Sequence, residues 1–162
     1  MKLSHVAPDG SIAMVDVSGK EATVRYARAQ ALVRLNDAAR AAIRDAVLAK
    51  GDAFVAAQIA GIMAAKRTAE LIPLAHQLPL SSVDVSFAWQ ESGALAIEAE
   101  ARTTAQTGVE MEAIVAATVA ALTIYDMAKA LDRGITIEAV RLLRKTGGKD
   151  SFDAAAAAGD SR

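Results

Sequence analysis

A small number of residues in this chain could do acid–base or phosphate chemistry, and one of them is His76. It lies in the stretch LIPLAHQLPL, residues 71–80, which also holds two of the three prolines. Imidazole is the side chain whose unperturbed charge changes near neutral pH, and proline stiffens the backbone that carries it. His76 is therefore either a site residue on a rigid connection or a structural histidine in a helix-to-strand turn.

A second set of candidates combines one carboxylate with lysines. Asp126 and Lys129 are three positions apart, so they share one helix face, and they interrupt the apolar run VAALTIYDMAKAL. The alternative is a surface ion pair of little consequence. Lys50 comes directly before Gly51, where a lysine could equally complement the dipole at a helix C-terminus.

The segment LLRKTGGK, residues 142–149, combines cations with paired glycines. It loosely suggests a phosphate-binding loop, although it lacks the spacing of a nucleotide P-loop and precedes no predicted helix. Glu110 and Glu112 begin a predicted helix, where the helix dipole alone favours acidic residues. With no cysteine and two distant histidines, the sequence predicts no metal site. Together these groups suit an acidic, phosphorylated small ligand, but they name no reaction.

The elements that would position these residues follow one recurring order. Alternating and helical apolar patterns predict a strand over 23–35, helices over 38–50 and 53–70, strands over 82–89 and 94–104, a long helix over 108–133 and a strand over 135–143. If the first two helices count as one layer, the order is β-α-β-β-α-β. This order predicts an α+β, ferredoxin-like fold, an antiparallel sheet with helices packed on one face.

Composition sets the remaining bounds. A chain of 162 residues suits a single domain, here residues 1–150, and the small, polar residues 151–162 are predicted to form a disordered tail. Apolar residues make up 53% but aromatics only 4%, so we expect the core to be completed by oligomerisation. A net charge of −1 argues against nucleic acid as a partner. We also find no signal-peptide pattern and no apolar run long enough for a membrane, and predict a soluble cytoplasmic protein.

Four stretches resemble the cyclic pyranopterin monophosphate synthase family of molybdenum cofactor biosynthesis. They are MVDVSGKEATVRYARA, KGDAFVAAQIAGIMAAKRTAELIPLAHQLPL, TGVEMEAIVAATVAALTIYDMAKAL and VRLLRKTGGK. The resemblance implies a ferredoxin-like subunit in a homohexamer, a trimer of dimers. It also implies a lyase reaction, in which a cyclised dihydroguanosine triphosphate becomes a cyclic pyranopterin monophosphate and pyrophosphate leaves. The alternative is a non-catalytic pterin- or nucleotide-binding module with the same fold.

The resemblance also implies roles for residues at matching positions. The catalytic residues are then Asp126 as general acid/base, Lys129 as its partner and Lys50, which with Lys145 and Arg25 would stabilise charge on the phosphoryl oxygens. The implied substrate-binding residues are Leu74, Ala75, His76, Met111, Glu112, Arg25 and Lys145. The family has Leu-Cys-His-Pro where this chain has Leu74–Gln77, so we expect the cysteine to be dispensable here. No protein-held cofactor is implied, although a magnesium ion could accompany the triphosphate.

Helix geometry adds one constraint on these assignments. Glu112 and Asp126 are fourteen positions apart on one predicted helix, hence about 21 Å apart along its axis. One small-molecule pocket does not easily reach both. We therefore expect the two residues that serve one substrate to come from different subunits across a two-fold axis.

Overall fold

The computed structural model of the protein describes residues 9–159, except for the side chains of 157–159. Its strands are β1 (Thr23–Arg34), β2 (Leu80–Trp89), β3 (Leu95–Ala105), β4 (Thr136–Thr146) and β5 (Phe152–Asp153). Its helices are α1 (Asp37–Arg44), α2 (Ala53–Ala65), α3 (Thr68–Leu71), α4 (Glu110–Ala128) and α5 (Ala154–Gly159).

The five strands form one antiparallel sheet in the order β2-β3-β1-β4-β5. The strand that follows the first helical layer, β2, does not pair with β1, because β3 lies between them. On the other side of β1, β4 follows α4. This split arrangement of the first four strands confirms the predicted ferredoxin-like fold.

The core lies between the sheet and the helices α2 and α4, and small side chains dominate it. Ala27, Ala29 and Ala31 of β1 are fully buried and pair with Ala101, Ala99 and Ile97 of β3. A side chain at Gly61 of α2 would come within 2.9 Å of a carbonyl oxygen of α4. The two helices can therefore pack at this distance only because glycine and alanine occupy the contact.

The opposite face of the sheet is polar, as the alternation of Glu98, Glu100 and Arg102 predicts. The Gln30 amide donates a hydrogen bond to Glu98 at 3.0 Å, and Arg141 donates to the Gln30 carbonyl oxygen at 3.0 Å. These contacts link β3, β1 and β4 across the sheet. Helices α2 and α4 thus pack on one face, and hydrogen bonds between polar side chains cross the other.

Helix α1 is shorter than predicted, which moves Lys50 into a loop. The helix ends at Arg44, because Ala46 adopts a left-handed backbone with φ 53°. Val47 N–H donates to the Ala42 carbonyl and Ala46 N–H to the Ile43 carbonyl, the bonds of a Schellman motif. Alanine is the best helix former, so the sequence does not indicate this stop. The interpretation of Lys50 as a helix C-terminal lysine is wrong.

Three other boundaries differ from those predicted. The second helix ends at Ala65 and is followed by the short α3, whereas β4 continues to Thr146 and so brings Lys145 into the sheet. In the predicted tail, Phe152 pairs with Lys145 and α5 follows. The described part of that tail therefore has secondary structure, and residues 160–162 lie outside the described part. The disorder of the tail and the single-domain boundary at residue 150 stay predictions.

One helix departs from the prediction about membranes. By length and composition alone α4 could span a bilayer, although the sequence analysis found no such run. Half of its apolar window is buried inside the protein. The apolar composition of α4 is thus accounted for by its place in the core.

The left-handed backbone of Ala46 leads to a prediction about the free energy of unfolding. A left-handed backbone costs an alanine about 1–2 kcal/mol, and glycine adopts it without this cost. Glycine also makes the unfolded chain more flexible, which offsets about 0.5–1 kcal/mol of the relieved strain. Ala46→Gly should therefore raise the free energy of unfolding by about 0.5–1 kcal/mol. Urea denaturation at fixed protein concentration measures it. Ala41→Gly, inside the same helix, is the control and should lower stability; a loss at Ala46 as well would contradict the helix end described here.

Candidate functional site

Two lysines bind one carboxylate at the C-terminal end of α4. Lys50 Nζ donates to Asp126 Oδ2 and to the Asp126 backbone oxygen, each at 2.8 Å. Lys129 Nζ lies 2.7 Å from Asp126 Oδ1, one turn further along. The three side chains are about half exposed. The loop before α2 and the end of α4 thus assemble the three residues predicted to be catalytic, and we call them the lysine–aspartate cluster.

The contacts in this cluster favour the charged forms of Asp126 and Lys129. Hydrogen bonds from Lys129 and then from Lys50 lower the pKa of Asp126 to about 2, and Asp126 raises the pKa of Lys129. Asp126 is therefore ionised at neutral pH and holds two ammonium groups in place. It can take up a proton, and later donate it, only after one of these lysines has moved to another partner.

A cleft of about 740 Å³ opens at the other end of α4, where β1 begins, β4 ends and the loop from β3 enters the helix. We call it the Arg25 cleft. Its charged lining has four cations and three carboxylates, and the remainder is small or polar. The charged residues are Lys20, Arg25, Lys145, Lys149, Glu21, Glu110 and Asp150.

Strand register explains why Arg25 and Lys145 share this cleft. Arg25 and Ala27 lie on the same face of β1, and Lys145 of β4 pairs with Ala27. Lys145 Nζ contacts Glu110 Oε1 at 3.0 Å. Arg25 donates instead to two uncharged carbonyls, those of Ala105 at 3.3 Å and Gln106 at 3.2 Å. The described contacts of the Arg25 guanidinium are thus with neutral carbonyl groups and not with a carboxylate. Its positive charge is therefore available to bind an anion.

His76 lies in the extended segment between α3 and β2. Its Nε2 lies 2.9 Å from the carbonyl oxygen of Val15 and so carries the proton. Thr103 at the end of β3 fixes the same segment by donating to the Pro79 carbonyl at 2.7 Å. Leu74 and Ala75, like His76, are partly buried. The segment is thus anchored beside the strand end that leads towards the Arg25 cleft.

Met111 and Glu112 are neighbours in the first turn of α4 but differ in exposure. Met111 is 37% exposed, whereas Glu112 is 4% exposed. Burial, with a smaller contribution from Glu110, raises the pKa of Glu112 to about 7. Its carboxyl is consequently poised to gain or lose a proton near neutrality. The sequence carries no signal of this, because burial of one residue in a helical first turn depends on the neighbouring elements.

One chain does not bring all the predicted site residues together. The lysine–aspartate cluster lies at the C-terminal end of α4, whereas Arg25, Lys145 and Glu112 lie around its N-terminal end. Asp126 and Glu112 are both in α4, hence about 21 Å apart along its axis. Lys20 and Glu21 were not predicted, since their spacing carries no motif. Within residues 9–159, no three His, Cys, Asp or Glu residues are placed to hold a metal ion.

A split antiparallel sheet with charged clusters at both ends of one core helix defines a ferredoxin-like α+β protein. The model of the MoaC family matches residues 14–148 of this chain. The chain is 52% identical over 150 residues to a protein of Syntrophomonas wolfei named cyclic pyranopterin monophosphate synthase, which covers 92% of this chain and 96% of that protein. This chain belongs to the MoaC family.

Two further relatives carry the same name. A protein of Geotalea uraniireducens is 53% identical, with 92% of this chain and 94% of the relative covered. A protein of Bacillus velezensis is 48% identical, with 91% and 88% covered. The similarity therefore extends over nearly the whole chain in each comparison.

The raised pKa of Glu112 predicts how stability changes with pH. The folded protein keeps the proton up to about pH 7, whereas the unfolded chain loses it near the ordinary value of 4.5. Stability from this group is therefore complete below about pH 4.5 and decreases as the pH rises to about 7. Glu112→Gln, which stays neutral, should lack this decrease. Thermal unfolding midpoints of both proteins between pH 5 and 8 measure the difference, and parallel curves would contradict the raised pKa.

Proposed function

We propose that the protein catalyses the reaction for which its relatives are named. A cyclised dihydroguanosine triphosphate is converted to cyclic pyranopterin monophosphate with release of pyrophosphate, a phosphorus–oxygen lyase step in molybdenum cofactor biosynthesis. The observation that carries the proposal is the assembled Lys50–Asp126–Lys129 cluster. Lys50 is 76 positions from Asp126 in the sequence, and a binding module would not require an ionised carboxylate between two lysines.

Formation of the cyclic phosphate needs positive charge around the transferred group. A sugar hydroxyl attacks the α-phosphorus, the bond from that phosphorus to the bridging oxygen breaks, pyrophosphate leaves with the electron pair, and the hydroxyl proton passes to solvent. Charge on the phosphoryl oxygens is stabilised by fixed cations. Lys50, Lys145 and Arg25 are the cations we assign to this step. A magnesium ion, if required, would be bound by the triphosphate itself and would add positive charge there.

Rearrangement of the base needs protons at nitrogen and oxygen atoms. When substrate displaces Lys50 or Lys129 from Asp126, the carboxylate becomes available as a base and the released ammonium as an acid. Glu112 can exchange a proton at neutral pH without such a displacement, because of its raised pKa. We assign Glu112 and His76, together with Leu74, Ala75 and Met111, to the pterin-forming end of the substrate.

The lysine–aspartate cluster and the Arg25 cleft lie at opposite ends of α4, and this separation supports a site completed by a second subunit. Helix α2 presents an exposed apolar stripe of Val55, Ile59 and Met63, spaced four residues apart, and α4 adds Leu122 and Tyr125. Burial of this stripe against another copy would remove apolar surface from water. We propose the homohexamer, a trimer of dimers, with each site formed by both subunits of a dimer. The cytoplasmic location stays a prediction.

Two variants test the catalytic assignment. Lys50→Ala and Asp126→Ala should lower turnover of the cyclised triphosphate by about a hundredfold or more, because both remove groups that act on the reacting atoms. Release of pyrophosphate and of a pterin product measures it. The unfolding midpoint should stay near that of the wild type, since the pair is solvent-exposed. Asp45→Ala, which breaks the exposed Arg44–Asp45 pair, is the control. Binding with no turnover by the wild type would favour a binding module.

Mixed oligomers test whether two subunits form one site. Subunits with Glu112→Ala and subunits with Asp126→Ala are each expected to be inactive. After subunit exchange, a mixed dimer should contain one site with both residues intact and one with neither, so part of the activity should return. Mass spectrometry verifies the exchange. Verified exchange with no recovered activity would show that both residues serve the site from the same chain, or that one of them is not a site residue.

A further inference from the structure

Two consecutive glycines follow β4 at the rim of the Arg25 cleft. Gly147 and Gly148 both have left-handed backbones, with φ of 90° and 80°. Other residues rarely adopt this conformation. The turn therefore needs glycine at both positions for its backbone, but what surrounds each glycine differs.

A side chain at Gly147 would overlap the backbone carbonyl of Val24. A side chain at Gly148 would overlap the Arg25 guanidinium, first at Nη1, with Cζ at 2.9 Å. The first obstacle belongs to the backbone of β1 and cannot move without disturbing the sheet. The second is the end of a flexible side chain, which can move away and leave the fold intact.

Arg25 is held on its other side by the loop from β3 into α4. Nε donates to the Ala105 carbonyl at 3.3 Å and Nη2 to the Gln106 carbonyl at 3.2 Å. The guanidinium thus lies between these carbonyls and the bare backbone of Gly148. If it moved away from Gly148, it would have to change or lose these hydrogen bonds.

We propose that Gly148 is a positioning residue for Arg25. Its missing side chain lets the guanidinium lie against the turn, bonded to two neutral carbonyls, so that its charge is presented to phosphoryl oxygens in the cleft. The inference rests on the assignment of Arg25 to the phosphates in the proposed function. Gly147 has a different role, because it maintains the contact between β1 and the turn.

The test compares four single variants with the wild type. Gly148→Ala adds the overlap with Arg25 and the backbone strain. Gly10→Ala adds a comparable strain at φ 84° with nothing within 4 Å, and Gly19→Ala, in the same cleft, meets nothing within 4 Å. Arg25→Ala removes the guanidinium itself. Calorimetric titration with inorganic pyrophosphate measures binding without turnover, and steady-state kinetics separate KM from kcat.

We expect Gly148→Ala to weaken pyrophosphate binding about tenfold or more, as Arg25→Ala should, because a hydrogen bond to a charged group is lost. Both kcat and kcat/KM for the triphosphate should decrease, because Arg25 is assigned to the phosphoryl oxygens of the reacting group, and both control variants should bind as the wild type does. The variant with both Gly148→Ala and Arg25→Ala should bind no more weakly than Arg25→Ala alone. Normal binding by Gly148→Ala, or losses that multiply in the double variant, would overturn the inference.

If Gly148→Ala destabilises the protein, thermal unfolding midpoints provide a second test of the inference. If the overlap with Arg25 causes the loss of stability, the double variant with Arg25→Ala should regain the wild-type unfolding midpoint, apart from the decrease that Gly10→Ala shows. A double variant that stays as unstable as Gly148→Ala overturns the inference. Wild-type binding by Arg25→Ala, or no binding by the wild type, would instead overturn the phosphate assignment within the proposed function. The two failures are therefore distinguishable.

Discussion

The close packing of α4 against the sheet and α2 is the constraint on which the rest of this structure depends. Alanines along the inner face of α4 have no exposed surface, and Gly61 of α2 faces a carbonyl of the same helix. Because protein interiors pack densely, such small residues leave little freedom to tilt or slide. The packing therefore fixes the positions of both ends of α4. The Arg25 cleft forms with neighbouring loops at its N-terminal end, and the lysine–aspartate cluster forms with the loop before α2 at its C-terminal end.

Different surroundings separate the pKa values of Asp126 and Glu112, two of the three acidic residues of α4. Asp126 is exposed and bonded to two lysines, so the charged form is favoured and its pKa decreases. Glu112 is buried beside Glu110, so its charged form is disfavoured and its pKa increases. One helix thus carries a carboxylate that is ionised at neutral pH and a carboxyl whose pKa lies near neutrality. The neighbours of each group, rather than its place in the same helix, set the direction of its pKa shift.

Much of the fold could be predicted because its signals are local. Alternation predicted which faces of β3 are buried, and helical spacing predicted α2 and α4. The boundaries were less accurate where a nonlocal or atypical feature decided them: a left-handed alanine ends α1, and pairing with β1 extends β4 to Thr146. Residue type and spacing indicated His76, Asp126 and Lys129 as candidates, motif resemblance assigned them to one site, and their roles stay predictions.

The sequence by itself determined the element order, the apolar faces and the membership of the MoaC family, because periodicity and long motifs are properties of the chain. Only the tertiary structure decided that Lys50 contacts Asp126, that Arg25 keeps its charge beside two carbonyls, and that Gly148 lies against this guanidinium. The sequence had already placed Glu112 and Asp126 near opposite ends of one helix, but only the fold brought Lys145 to one end and Lys50 to the other. The physical reason is that contacts, burial and pKa shifts depend on neighbours distant in sequence, which no local pattern specifies.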